Sequence, residues 1–141
     1  MKLLISVGLI VSVLSGCAVN RATANVDPGT KLADIKTMHV KKYPDDNAKV
    51  DELIAEKLRG KGVAVTTGPE VPMGTDSIVT YVDKWMWDIT MYMLELTVVL
   101  RNPATDFPLA SGNSFHTSLT RLSPPEMVSE VIDNIYKGGN K

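Results

Sequence analysis

Cysteine is almost absent: the 141-residue chain has one, and only two histidines. A single thiol cannot close an intrachain disulfide, and one Cys with two His is too small a ligand set for a structural zinc site. An excess of charge of either sign is also missing. Fifteen Lys and Arg against sixteen Asp and Glu leave a formal net charge of −1, so the clustered basic surplus that non-specific nucleic-acid binding requires is not there. The chain has no phosphate-cradling glycine loop, no nucleophile elbow and no metal-ligand spacing. The apolar share, 44%, is ordinary for a globular protein and excludes global disorder. Length favours one domain.

What is present is concentrated first at the start. Lys2 precedes a twelve-residue apolar run, Leu3 to Leu14, and small Ser15 and Gly16 follow. A basic end, a short apolar stretch and small residues before a cut are the layout of an export signal. As a helix the run rises only about 18 Å, short of the roughly 30 Å hydrocarbon core. Leu14-Ser15-Gly16-Cys17 resembles the lipobox of bacterial lipoproteins, and it lies where the apolar run ends. The resemblance implies cleavage between Gly16 and Cys17, a diacylglyceryl thioether on Cys17 and an acyl chain such as palmitate on its new amino group. No other cofactor is expected. One chain binds a membrane marginally and two or more hold firmly, at about 0.8 kcal/mol per buried methylene. Lipidation also disposes of a thiol that an oxidising compartment would attack. In many Gram-negative lipoproteins Asp after the Cys marks inner-membrane retention. Ala18 stands there, which implies the outer membrane, with the domain in the periplasm.

Residues 17–30 mix small and polar side chains without a helical period and end in Pro28-Gly29. They read as a lipidated Cys and a flexible tether. The domain is expected over 31–137, after a signal peptide at 1–16 and before a disordered tail at 138–141. Ile35 to Tyr43 fits a first strand. A helix follows, with Asp45, Asp46 or Asn47 as cap and Val50, Leu53, Ile54 and Leu58 as its apolar stripe. Val63 to Thr66 is a short strand. Ser77 to Trp87 and Ile89 to Arg101 are two long ones, with Asp88 as the only obvious turn residue between them. Period two puts Tyr92, Leu94, Leu96, Val98 and Leu100 inward and Met91, Met93, Glu95, Thr97 and Val99 outward. Leu109 to Leu119 is the last strand. Ser123 and Glu126 have capping-box spacing ahead of a helix buried through Met127, Val128, Val131, Ile132, Ile135 and Tyr136. The order β-α-β-β-β-β-α predicts an α+β two-layer sandwich. Its sheet would be mostly antiparallel, of about five strands, with two helices on one face.

Ser114, His116 and either Asp83 or Asp88 are the residue types of a nucleophile–base–acid set, but no local motif joins them. No catalysis and no metal site are expected. Tyr81, Trp85, Trp87, Met91 and Met93 differ in kind, because they gather aromatic and methionine surface near one turn. Packed under helices they are core; on an open sheet face they are an interaction surface for protein or lipid.

Thr80-Tyr81-Val82-Asp83-x-Trp85-x-Trp87-Asp88-Ile89, Leu96-Thr97-Val98-x-Leu100 and Ala110-Ser111-Gly112, with the lipobox, resemble small proteobacterial outer-membrane lipoproteins of unknown function. The order of elements is similar to that of LPS-assembly lipoproteins and of lipoprotein activators of cell-wall synthases. The resemblance implies a lipid-anchored, periplasm-facing binding or structural protein of an envelope complex, with Cys17 as its one transferable functional residue. The alternative is a lipid- or glycan-binding carrier using the open sheet face or a sheet–helix cleft. A membrane through the anchor and an envelope protein are the expected partners, with no nucleic acid; the sequence leaves the oligomeric state open.

Overall fold

A computed structural model describes residues 19–139. The signal peptide, the cleavage site and Cys17 lie outside the described residues.

Six strands and two helices follow one another as β1 (Asn20–Val26), β2 (Thr37–Lys41), α1 (Val50–Arg59), β3 (Ala64–Gly68), β4 (Ser77–Asp88), β5 (Thr90–Arg101), β6 (Pro108–His116) and α2 (Pro124–Gly138). The strands form one sheet in the order β1-β6-β5-β4-β2-β3. Neighbours β1–β6, β6–β5 and β5–β4 are antiparallel, and β4–β2 and β2–β3 are parallel. The parallel β2–β3 pairing follows from α1, which crosses over between them, and the connection over residues 69–76 then carries the chain back past β2 to set β4 parallel on its other side. Both helices lie on one face, α1 against β2 and β3 and α2 against β1, β5 and β6. The fold is therefore α+β as expected, with a sixth strand.

That sixth strand is β1, and it corrects the tether. Residues 20–26 pair in full register with β6, from Asn20 opposite His116 to Val26 opposite Ala110. An edge strand held by backbone bonds, exposed along six of its seven residues, needs no apolar alternation, so the residue pattern gave no sign of it. Pro28-Gly29 is still a turn, tied by the Asp27 carboxylate accepting from the Gly29 N–H at 3.0 Å and the Thr30 hydroxyl at 3.2 Å. The first two residues expected in the tail are ordered as well. Gly138 closes α2, and the Gly139 N–H bonds the Ile135 carbonyl at 3.1 Å.

The helix ends follow local chemistry. Ser123 and Glu126 form the reciprocal capping box ahead of α2. At α1 the residue before the helix, Lys49, is left-handed (φ 56°) and donates no cap. Asp46 supplies it from further back, accepting from the N–H groups of Val50 at 3.1 Å and Asp51 at 3.0 Å.

The second correction lies in β5. Lys84 stands opposite Glu95, but Trp85 stands opposite Met93, so Leu94 is an extra residue with no counterpart in β4. A bulge of one residue reverses the alternation beyond it. Leu96, Val98 and Leu100 face the helices as expected, and past the bulge it is Met93 that joins them, fully buried. Leu94 is half-buried. Tyr92 falls on the opposite face, beneath the Arg121 guanidinium at 4.5 Å from its ring centre.

In β6 the small side chains face α2: Ala110, Gly112, Ser114 and His116 are buried. A Cβ placed on Gly112 would lie 2.9 Å from Val131 Cγ1, so the helix rests on that bare backbone. On the opposite sheet face a polar cluster spans β4, β5 and β6. Asn113 donates to Glu95 and Thr97, both at 2.8 Å, and Lys84 pairs with Glu95 at 3.2 Å. Hydrogen bonding from Asn113 is the main reason the Glu95 carboxyl stays below its usual range. Met93, buried beneath the helices, does not sit on an open apolar face.

Candidate functional site: an aromatic and acidic groove beside the first helix

Beyond the start of α1, the helix side of β4 and β5 runs on with no helix above it. The gap is a groove of about 820 Å3, lined among others by Tyr43, Asp46, Tyr81, Asp83, Trp85 and Met91. Alternation along β4 puts Tyr81, Asp83 and Trp85 on this face together. The segment from Tyr43 to Ala48 forms the opposite wall.

Each aromatic ring is fixed by a carboxylate or another ring. The Tyr81 hydroxyl donates to Asp46 Oδ2 at 2.6 Å, and the Trp85 indole N–H donates to Asp83 Oδ2 at 2.6 Å. Tyr43 meets Tyr81 edge to face, with ring centres 5.1 Å apart. Burial pushes the Tyr81 hydroxyl well above its ordinary range, and its bond to Asp46 adds to the shift. Tyr81 is thus a fixed donor to Asp46. Burial works against the Asp46 carboxylate, but the Tyr81 hydroxyl and the Asp51 and Val50 N–H groups outweigh it and hold Asp46 below the usual carboxylate range. Asp51, just behind, is buried with Oδ1 unpartnered. Burial raises its pKa, and the charge on Asp46 raises it further.

Asp46 joins the α1 cap to the groove wall, which gives a pH prediction. A carboxyl lowered on folding contributes stability that is complete above its unfolded value, near 4, and is lost as pH falls through the lower folded value. Asp46→Asn is expected to flatten the acid limb of the stability profile and to cost about 1 kcal/mol at neutral pH through the weakened cap. Thermal melts of both chains across the acid range read this; an unchanged acid limb would refute it.

Of the five residues singled out in the sequence, Tyr81, Trp85 and Met91 come together in the groove. Trp87 lies further along the ribbon, 69% exposed. Met93 is core. Sequence reasoning missed Tyr43 and Asp83 as groove residues and took Asp46 only as a cap. Asp83 was detectable, because residues two apart on a strand share a face. Tyr43 was not, since it reaches the groove from a loop.

Ser114 and His116 do meet, though through neither Asp83 nor Asp88. Both bond the same oxygen, Glu130 Oε1, the serine hydroxyl at 2.8 Å and His116 Nε2 at 2.9 Å. A nucleophile–base dyad needs the serine to bond the histidine; here the glutamate ties β6 to α2. His116 Nδ1 is buried without a partner. His39 bridges two strands, bonding Thr66 Oγ1 at 2.8 Å and the Gly68 carbonyl at 3.0 Å. Among the described residues no group of three or more His, Cys, Asp or Glu could hold a metal ion.

These features define a single-sheet α+β domain with a large open groove. No protein-family model matches the chain, and no curated sequence matches it. Its fold is similar to that of the PelC dodecamer from Paraburkholderia phytofirmans, with a TM-score of 0.61 at 13% identity over 83% of this chain and 98% of that one. A point variant of PelC from the same organism gives 0.59 at 14% identity, over 83% and 97% of the two chains. A PDZ domain protein from Parabacteroides distasonis gives 0.51 at 11% identity, over 84% of this chain and 34% of that one. At these identities the likeness is one of fold.

Proposed function

We propose that this is a lipid-anchored protein on the periplasmic face of the outer membrane, whose domain binds an envelope protein and performs no chemistry. The observation that carries the reading is the groove. Its aromatic rings are held in place by buried or half-buried hydrogen bonds, so a ligand meets a preformed surface and little ordering is left to oppose binding. Tyr and Trp beside fixed acceptors are what interface centres favour. An open groove suits a chain segment of a protein partner better than a carried lipid, which a closed apolar cavity would suit.

The address rests on the lipobox. Labelled palmitate is expected in the wild type and absent from Cys17→Ser, which should leave the membrane fraction; an unlabelled wild type would refute lipidation. For the groove, a photo-crosslinker at Tyr43 in the anchored chain is expected to trap a discrete envelope-protein adduct. Trp85→Ala should weaken that adduct at least about tenfold, as the loss of a central aromatic anchor does. PelC is a dodecamer, so the native mass tells whether the trapped protein is a second copy of this chain. Adducts to lipid alone would favour the carrier reading instead.

A further inference from the structure

We infer that the tip of the β4–β5 ribbon is a second membrane contact, lying in the bilayer surface beside the anchor. Three observations carry it.

The first is where the chain enters. Val19 runs alongside Thr117, its N–H donating to the Thr117 hydroxyl at 3.1 Å and its carbonyl accepting from the Thr117 N–H at 3.0 Å. Cys17 is therefore only three residues from Asn20, a span of about 10 Å at most. The register carries the level of Asn20 across the sheet, through His116 and Phe115 to Glu95 and Lys84. From Lys84 the ribbon runs four more residues to Asp88, roughly 13 Å in the same direction at about 3.3 Å per residue. The tip thus reaches at least as far as a fully stretched anchor segment. A domain held this closely by Cys17 has the tip within reach of a headgroup layer about 5–7 Å thick.

The second is what the tip is made of. Among the described residues, Val19, Met86, Trp87, Ile89, Met91 and Leu119 are exposed apolar side chains gathered at this one end. Arg121 binds them into one unit. From the turn that holds Leu119 it donates to Thr90 Oγ1 at 2.9 Å and the Asp88 carbonyl at 3.3 Å. Trp87 faces Met91 across the ribbon, and Met86 faces Tyr92, so apolar groups project from both faces. A flat protein surface covers one face of a ribbon, whereas a bilayer surrounds both. Trp suits the interface, where its ring is apolar and its N–H is wet.

The third is Ile89. It makes the reversal alone, at φ 64°, and is 87% exposed. A β-branched residue at positive φ is a genuine outlier, in a place that Gly or Asn fills without strain. An isoleucine in that conformation with its side chain exposed points to a use for that side chain.

The inference rests on the Cys17 anchor for its setting, and its test is separable from that reading. The chain from Cys17 to Lys141 is coupled through its only thiol to a maleimide lipid in vesicles of phosphatidylethanolamine and phosphatidylglycerol. Membrane attachment then holds whether or not the cell acylates Cys17, and the palmitate result stands by itself. With Trp85→Phe, emission reports Trp87 alone. Vesicles brominated near the headgroup are expected to quench it about twofold, as for an indole at the interface. Adding Ile89→Asp and Leu119→Asp, both at exposed positions, should abolish that quenching with an unchanged melt. An unquenched Trp87 in the coupled chain, or quenching that survives both aspartates, would overturn the inference. So would self-association of the uncoupled chain that Ile89→Asp abolishes, which would give the tip to a second copy.

Discussion

Met93→Ala is expected to lower the unfolding free energy by about 3 kcal/mol, within the range of roughly 2–5 for truncating a buried methionine. The side chain is fully buried and belongs to the cluster that includes Tyr81, Leu96, Met127 and Val128. Plain alternation puts Met93 outside with Met91, where truncation costs almost nothing. The bulge at Leu94 decides between the two outcomes. Urea denaturation of the mature chain reads the difference. Met91→Ala, at an exposed position, should stay within about 0.5 kcal/mol of wild type. Equal effects of the two substitutions would show that the bulge is misplaced.

Gly112→Val is expected to cost about 1–3 kcal/mol or more, the penalty of forcing extra atoms into a filled core. A first added carbon at 112 would stand 2.9 Å from Val131 Cγ1 and 3.0 Å from Ile135 Cγ1. Valine then adds two more carbons on the same side. The cost is one of contact, because both crowding atoms belong to the buried face of α2, and the helix can yield only by lifting off β6. Lifting it also strains the bonds from Ser114 and His116 to Glu130. The melt should fall by several degrees; an unchanged melt would mean that α2 is not seated on β6 as described.

Much of the fold was legible. Apolar residues at helical spacing marked α1 and α2, and the Ser123–Glu126 capping box is formed. Alternation marked β4, β5 and β6 because each has one wet face and one dry face. The β1 strand left no such mark, since its side chains are exposed and its partner is ninety residues away. The groove was half legible. Tyr81, Trp85 and Met91 stood out as aromatic and methionine surface near a turn, while Tyr43 and Asp46 reach the same space from a loop that only packing could place.

The sequence by itself determined the two helices with their stripes and the α+β class, and it alone carries the proposal of an anchor at Cys17. These depend on contacts within a few residues, or on a pattern repeated along one element. Tertiary structure decided which face each β5 residue takes, because one unpaired residue shifts the phase of all that follow. It also decided how far the domain stands from Cys17. Seven small or polar residues ending in Val26, which look like a tether, are fixed against β6 by backbone bonds, and those are indifferent to side-chain identity.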